Sequence, residues 1–282
     1  MIKYYSINGE VVPKEQAMLS VEDISILRGY GLFDYFLVKA GQPLFLEDHF
    51  ERLWRNAAYM HLEIPMSKEE LKAAVFELLA ANGIAQTSIR IVLTGGISEN
   101  GFRIPNKQNL LILQHPYPTY PQSEYEQGIK LILHEYMRAM PAAKSTDYAM
   151  GVRMWPAVQS AQAIGVLYHW NGVIYEMARA NFYIVKEDQT IVTTDDKILH
   201  GITRKHVLEF AAQNYRLEKR DISLEELRDA KEAFMTNTTR RMMAVVKIDD
   251  WVIGDGVPGP VSIDLRRRLF EAEEAYLAQR VK

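Results

Sequence analysis

The sequence has 282 residues, of which 33 are Lys or Arg and 36 are Asp or Glu, giving a formal net charge of -3. The lack of a basic excess argues against a nucleic-acid-binding protein, because positive charge is needed to neutralise a phosphate backbone. The absence of cysteine excludes disulfides, thiolate zinc sites and thiol nucleophiles.

The remaining composition is that of an ordinary globular protein. Hydrophobic residues make up 48% of the chain, and the length favours two domains, since about 100–200 residues per domain are usual. No run approaches the roughly 18 apolar residues of a membrane span, and the first residues lack the apolar core of a signal peptide. We therefore expect a cytoplasmic protein with no membrane or nucleic-acid partner.

The first half of the sequence alternates between strand and helix patterns. The dipeptide Asn8-Gly9 predicts a tight hairpin turn. Apolar residues at helical spacing predict a helix from residue 47, and a capping box of Ser67 and Glu70 predicts a second helix that ends at Gly83. Short apolar runs predict further strands at residues 35–39, 44–46, 89–93 and 110–113.

A proline-rich stretch separates the two halves of the sequence. Pro116, Pro118 and Pro121 cannot donate hydrogen bonds to a sheet, so they predict a linker. We expect an N-terminal α+β domain at residues 1–115, a linker at 116–127 and a larger C-terminal α+β domain at 128–282. The second half mixes strands (129–136, 182–185 and a hairpin at 171–172) with helices, without the strict alternation of a doubly wound parallel sheet.

Four short segments contain the residues that could take part in catalysis or ligand binding. They are HFERL (His49–Leu53), AAKSTDY (Ala142–Tyr148), YEMARANFY (Tyr175–Tyr183) with LHGITR (Leu199–Arg204), and MTNTT (Met235–Thr239). Each segment is ordinary by itself. A lone lysine in a loop is usually solvated, and a threonine before a helix is usually an N-cap. Arg52 lies about 200° around its helix from the apolar Phe50, which by itself predicts a solvent-exposed side chain.

The order of these segments is more specific than any one of them. The series H-x-x-R-L, K-S-x-D-Y, E-x-x-x-x-N-F and L-x-G-I-T-R resembles the class IV aminotransferases, which are fold-type IV pyridoxal-5′-phosphate (PLP) enzymes. The resemblance covers almost the whole chain, from Arg28 to the MTNTT turn. It implies a two-domain α+β fold with a smaller N-terminal domain, PLP as cofactor, and a homodimer. No metal site is expected.

The resemblance assigns cofactor roles residue by residue. Lys144 corresponds to the lysine that forms a Schiff base with PLP, and an amine in such a site is activated by partial desolvation and a nearby pyridinium. Glu176 corresponds to the acid that binds the pyridine nitrogen and keeps it protonated, so that the ring is an electron sink. The phosphate is expected at a helix start, where free N–H groups and the helix dipole favour an anion. The other cofactor-binding positions that the resemblance implies are Arg52, Tyr148, Leu199, Gly201, Ile202, Thr203 and Thr238.

The substrate side departs from the family pattern. D-amino-acid aminotransferases carry basic residues in the segment corresponding to Thr94–Gly101, and this sequence has none there, which disfavours a D-amino-acid enzyme. Arg179 stands where small residues are usual. We hypothesise that Arg179 pairs with a substrate carboxylate, because a guanidinium matches that group bidentately; an arginine that only faces solvent is the equal alternative.

Further substrate candidates follow from the same resemblance. Phe33 and Tyr30 lie where the family places pocket aromatics, with a role in the core as the alternative, and Thr239 is a candidate in the MTNTT turn. The run TTRRMM places Arg240 and Arg241 where a small-Glu-Ile sequence is common.

Three functions remain open at this point. The first is a transaminase that moves an amino group between an amino acid and a 2-oxo acid, branched-chain-like by default. The second is a 4-amino-4-deoxychorismate lyase, which would use the same Lys144, Glu176 and phosphate site but release pyruvate. The third is a non-catalytic binding protein that retains the fold. Chemically competent residues at every core cofactor position favour an enzyme, and transamination is preferred.

Overall fold

The computed structural model of the protein describes residues 1–280. Two compact units make up this part of the chain. The first contains Met1–Pro118, Ala143–Asp147 and the described residues from Ala275 onward, and the second contains Thr119–Ala142 and Tyr148–Glu274. Among the described residues, no helix combines the length and the apolar character needed to cross a membrane.

The first unit is built on an antiparallel sheet of six strands in the order β2-β1-β6-β5-β3-β4. The predicted hairpin at Asn8-Gly9 is confirmed, since it joins the first two strands. The predicted strand at residues 44–46 is wrong: a strand ends at Pro43, and Leu46 already begins a helix because Phe45 turns the chain at a φ of 52°. The strands are β1 Tyr4–Ile7, β2 Glu10–Pro13, β3 Gly31–Lys39, β4 Gln42–Pro43, β5 Thr87–Thr94 and β6 Leu110–Pro116.

Three α-helices belong to the same unit: α1 Ile24–Arg28, α2 Leu46–Tyr59 and α3 Lys68–Asn82. The capping box predicted for α3 is confirmed, because the Glu70 N–H donates to Ser67 Oγ and the Ser67 N–H donates to Glu70 Oε2. Gly83 ends the helix at a φ of 62°, as glycine without a Cβ does readily.

The segment Ala143–Asp147 is joined to this first unit by backbone hydrogen bonds. The N–H of Phe33 donates to the Lys144 carbonyl at 2.9 Å, and the N–H of Thr146 donates to the Gly31 carbonyl at 2.9 Å. The predicted division instead places this segment in a domain at residues 128–282, because its pairing partner lies more than a hundred residues earlier. Residues 281–282, at the end of that predicted domain, lie outside the described residues.

The second unit contains a larger sheet in which six strands close into a ring. Successive hydrogen-bonded neighbours are β10, β14, β15, β7, β8 and β9, and β9 pairs again with β10. Apolar side chains such as Leu131, Leu167, Phe182 and Met235 form its main core. The strands are β7 Ile129–Glu135, β8 Gly165–Trp170, β9 Val173–Met177, β10 Ala180–Val185, β11 Ile191–Thr193, β12 Leu217–Lys219, β13 Ile222–Ser223, β14 Glu232–Asn237, β15 Arg241–Ile248 and β16 Trp251–Val252.

Helices of the second half connect or flank these strands. They are α4 Gln122–Gln127, α5 Ala149–Ser160, α6 Ile202–Asn214, α7 Leu224–Arg228 and α8 Pro260–Ala278, of which α4 lies within the predicted linker. The helix predicted to run to about residue 165 ends at Ser160, since the chain turns there into a strand. Mixed helices and sheets in two units confirm the predicted α+β class.

Candidate active site

Lys144 lies in the first unit, in the segment that pairs with β3. Its carbonyl accepts from Phe33, and its own N–H donates to Asn56 Oδ1 at 2.9 Å. The side chain is partly buried, and Nζ lies 4.5 Å from the centroid of the Phe33 ring. The backbone of Lys144 is thus fixed on both sides, and its amine lies against an aromatic face.

Arg52 is buried, with 2% of its surface exposed, so the solvent-exposed side chain suggested by its helical position is wrong. The reason is a buried carboxylate on the neighbouring strand. Arg52 Nε donates to Asp34 Oδ2 at 2.9 Å and Nη2 donates to Asp34 Oδ1 at 2.7 Å. His49 Nδ1 lies 2.6 Å from the same Oδ1. His49, Arg52 and Asn56 share one face of α2, since they are three and four residues apart.

The electrostatics of this cluster follow from burial and close charges. Burial by itself raises the pKa of Asp34, but Arg52 and His49 outweigh it and hold the pKa well below its ordinary value. Burial lowers the pKa of His49 below its ordinary value, against the opposing effect of Asp34. A neutral His49 can donate from Nδ1 to the carboxylate. Asp34 was not identified from the sequence; its signal is a charge at an inward position of β3, between the buried Leu32 and Phe36.

Arg90 is a second residue that the sequence reasoning missed. It is exposed on β5, and its guanidinium carbon lies 5.3 Å from the Phe33 ring centroid and 5.7 Å from that of Tyr35. Phe33 therefore contacts both this guanidinium and the Lys144 amine. Tyr30, the other aromatic candidate, donates its hydroxyl to the Met60 carbonyl at 2.7 Å. No local spacing in the sequence marks Arg90, because only sheet pairing brings it beside Phe33.

Glu176 lies in the second unit, on β9 where the ring of strands closes. Its carboxylate is buried, with Oε1 accepting from Arg138 Nη1 at 2.9 Å and Oε2 accepting from the Leu199 N–H at 3.0 Å. Burial by itself lowers the pKa of Arg138, but the Glu176 carboxylate outweighs it and raises that pKa above its ordinary value. Arg138 also donates to the Pro141 carbonyl. No sequence pattern marks Arg138, which is 38 residues from its partner.

The LHGITR segment forms the start of helix α6. Gly201 is the N-cap and has no side chain to cap the helix, so the first N–H groups are left for another acceptor. Asn181 Nδ2 donates to the Leu199 carbonyl at 2.7 Å, and a Cβ at Gly201 would lie only 2.4 Å from Asn181 Oδ1. Ile202 and Thr203 are the first two residues of this helix. The arrangement is suited to an anion.

The MTNTT segment ends in a loop of three residues, 238–240, between β14 and β15. The Asn237 side chain accepts from the Thr239 hydroxyl at 3.3 Å and from the Arg240 N–H at 2.7 Å. The Thr238 hydroxyl forms no hydrogen bond within residues 1–280. Thr238 is therefore the hydroxyl of this loop that remains available to a ligand.

Two further predicted residues lie in the second unit. Tyr148 is half-buried and is the N-cap residue of α5. Arg179 is exposed in the turn between β9 and β10 and has no hydrogen bond or ion pair with any described residue.

The predicted site residues thus fall into two groups. Tyr30, Phe33, Arg52 and Lys144 belong to the first unit, and the others belong to the second. Within the described residues, no three His, Asp or Glu side chains are arranged to hold a metal ion.

Comparison with known proteins identifies the family. The family model described as amino-transferase class IV matches residues 31–248. A D-alanine aminotransferase of Staphylococcus haemolyticus is 29% identical over 97% of this chain and 98% of its own length. Branched-chain-amino-acid aminotransferase-like protein 2 of Arabidopsis thaliana is 31% identical, over 94% of this chain and 49% of its own.

Solved structures give the same result. A branched-chain amino acid aminotransferase of T.th., solved with pyridoxamine 5′-phosphate, matches with a TM-score of 0.89 at 26% identity and covers 98% of this chain and 95% of its own. The two-domain fold-type IV architecture predicted from the motifs is therefore confirmed. The chain belongs to the class IV aminotransferase family of PLP-dependent enzymes.

Proposed function

We propose that this protein is a transaminase that moves an amino group from an amino acid to a 2-oxo acid, with Lys144 and Glu176 as its catalytic residues. The observation that supports it most is the Glu176 carboxylate, which is buried yet held at both oxygens by Arg138 and the Leu199 N–H. A buried carboxylate fixed in this way is an acceptor prepared for a protonated ring nitrogen.

The phosphate end of the cofactor also fits residues of this chain. The start of α6 offers uncapped N–H groups, and a side chain at Gly201 would collide with Asn181, which keeps the position open. Thr203 and Thr238 add hydroxyls. On the first unit, Arg52 is the proposed guanidinium, oriented by its two bonds to Asp34. Leu199 is the proposed apolar contact of the ring, and Tyr148 the proposed partner of its hydroxyl.

The roles of the individual residues then follow from ordinary chemistry. Bound PLP supplies a conjugated ring that withdraws electrons from the substrate Cα. Lys144 Nζ would hold the cofactor through its aldehyde, and the same amine, when free, would act as the base that takes the proton from the substrate Cα. Glu176 keeps the ring nitrogen protonated by accepting its hydrogen bond, and Arg138 holds Glu176 in place. The backbone bonds on either side of Lys144 orient its amine.

We propose that carboxylate recognition involves arginine. Arg90 lies on the Phe33 ring that also contacts the Lys144 amine, so it is available to an anionic group of the substrate. Arg179 is exposed without a partner among the described residues, which supports its proposed role with a substrate carboxylate. Phe33 is a proposed apolar contact of the substrate, and Thr239 is a further proposed substrate contact. A branched-chain-like donor remains the default, and the segment Thr94–Gly101 without basic residues still argues against D-amino acids.

The cofactor proposal is tested by absorbance of the purified protein. We expect a visible band that borohydride removes and that is absent in Lys144→Ala. Lys107→Ala, which removes an exposed lysine from a different loop, is the control and should keep the band. A protein without any band after PLP addition would instead be the non-catalytic binding protein.

Reaction type is tested with the same preparations. A transaminase should form glutamate from 2-oxoglutarate and a panel of branched-chain and acidic donors. A lyase should instead release pyruvate from 4-amino-4-deoxychorismate, detected by coupled lactate dehydrogenase. We also propose a homodimer, as the family resemblance implies, and sedimentation velocity measures its mass. The cytoplasmic location expected from the sequence is likewise a proposal.

A further inference from the structure

The loop that presents Thr238 has a strained backbone. Asn237 and Arg241 pair across β14 and β15, which leaves the three residues 238–240 as the hairpin loop. Hairpins of this length commonly place a glycine at the left-handed position that follows the turn. Here that position is Arg241, at a φ of 58°. Residues with side chains rarely adopt this conformation, and it persists only where surrounding contacts enforce it.

Arg241 is held by a buried ion pair. Its Nε donates to Glu273 Oε1 on helix α8 at 3.2 Å, and the two residues are 7% and 3% exposed. Breaking a pair of this kind leaves an uncompensated buried charge, so the pair strongly favours one position of Arg241. Arg241, the left-handed residue that directly follows the loop, is therefore held in place by α8.

Arg240 fixes the other side of the loop. Its guanidinium is ion-paired with Glu124 of helix α4 and lies 3.9 Å from the centroid of the Tyr120 ring. Its backbone is also engaged, since its N–H donates to Asn237 Oδ1 and its carbonyl accepts from the Tyr125 hydroxyl. The segment of residues 120–125 thus holds Arg240 through charge, ring stacking and a hydrogen bond.

We propose that Arg240 and Arg241 are positioning residues for the phosphate end of the cofactor site, a role that rests on the function proposed above. We assign neither guanidinium to the phosphate; each is paired with a carboxylate that holds the loop. They act through the loop: two anchors on α4 and α8 hold a strained backbone, and this backbone sets the place of the Thr238 hydroxyl.

The test compares two ligands that differ only in the phosphate. Apoprotein is titrated with PLP and with pyridoxal, and the apparent Kd of each is measured by absorbance. For Arg240→Ala we expect PLP to bind about tenfold more weakly, the effect of losing one hydrogen bond to a charged group. Pyridoxal should bind as it does to the wild type. Arg240→Lys, which keeps the charge but not the planar stacking, should recover part of the loss.

Two variants complete the design. Glu124→Gln removes the same ion pair without changing the loop sequence, so it should weaken PLP binding selectively even if Arg240→Ala fails to fold. Arg267→Ala is the matched control, because Arg267 pairs with Asp264 and Glu271 of its own exposed helix face. It should change neither Kd.

The outcomes are distinct. Equal weakening of PLP and pyridoxal in Arg240→Ala and Glu124→Gln, or no change in either ligand, overturns the positioning role. A wild-type protein that does not prefer PLP to pyridoxal overturns the proposed function itself, and that result is visible before any variant is made.

Discussion

Replacing Asp34 by Asn should destabilise the first unit more than any conservative surface change. The side chains of Asp34, His49 and Arg52 are 1%, 3% and 3% exposed. Water therefore cannot solvate the Arg52 charge that loses its partner. Removing one member of a buried ion pair costs about 3–5 kcal/mol. Asparagine keeps the shape and one acceptor, but its amide must face a donor of Arg52 or His49. We therefore expect the free energy of unfolding to fall by about 3 kcal/mol, the lower end of this range.

The assay is urea unfolding followed by far-ultraviolet circular dichroism. For a slope of about 1–3 kcal/mol per molar urea, a loss of about 3 kcal/mol lowers the midpoint by about 1 M or more. Asp250→Asn is the matched control, because the Asp250 side chain is 97% exposed and an exposed ion pair such as that with Lys247 contributes little. A midpoint for Asp34→Asn that equals that of the control would refute the reasoning that the Asp34–Arg52 pair carries buried charge.

Three further outcomes follow from the same structure. Because the pKa of Asp34 is depressed in the folded state, its carboxylate contributes fully to the free energy of unfolding above the unfolded pKa of about 4, and this contribution is lost progressively as the pH falls below that value. The difference in unfolding free energy between wild type and Asp34→Asn should therefore narrow from pH 7 to pH 3, and a constant difference contradicts this. Gly201→Ala forces a Cβ to within 2.4 Å of Asn181 Oδ1, so PLP titration of the apoprotein should show weaker binding, and an unchanged Kd argues against the crowding. Glu232→Gln removes a buried charge that accepts two N–H groups at the start of α8, so the Tm should fall by an amount equivalent to about 1–2 kcal/mol, whereas an unaltered melting curve shows that the charge is dispensable.

Local signals in the sequence predicted local structure well. Ser67 and Glu70 form their capping box because both partners lie within one helical turn. The hairpin at Asn8-Gly9 likewise depends on two adjacent residues. The candidate residues Lys144 and Glu176 were found from motif order, which carries family information that no single spacing contains.

The contacts that orient those residues could not be predicted in the same way. Asp34 and Arg52 are 18 residues apart and Arg138 and Glu176 are 38 apart, so each pair depends on how elements pack. The angular position of Arg52 on α2 predicted solvent, but it could not reveal a buried carboxylate on β3. Buried ion pairs of this kind are set by tertiary structure and leave little trace in a single sequence.

The closed ring of strands in the second unit has a consequence for aggregation. Within the ring every strand has hydrogen-bonded neighbours on both sides, and the strands left at the margins, β12, β13 and β16, are only two or three residues long. Long unpaired margins are what recruit other chains into intermolecular sheets. Among its described residues, this unit has no long unpaired strand edge. At high concentration it should therefore resist aggregation through intermolecular sheets.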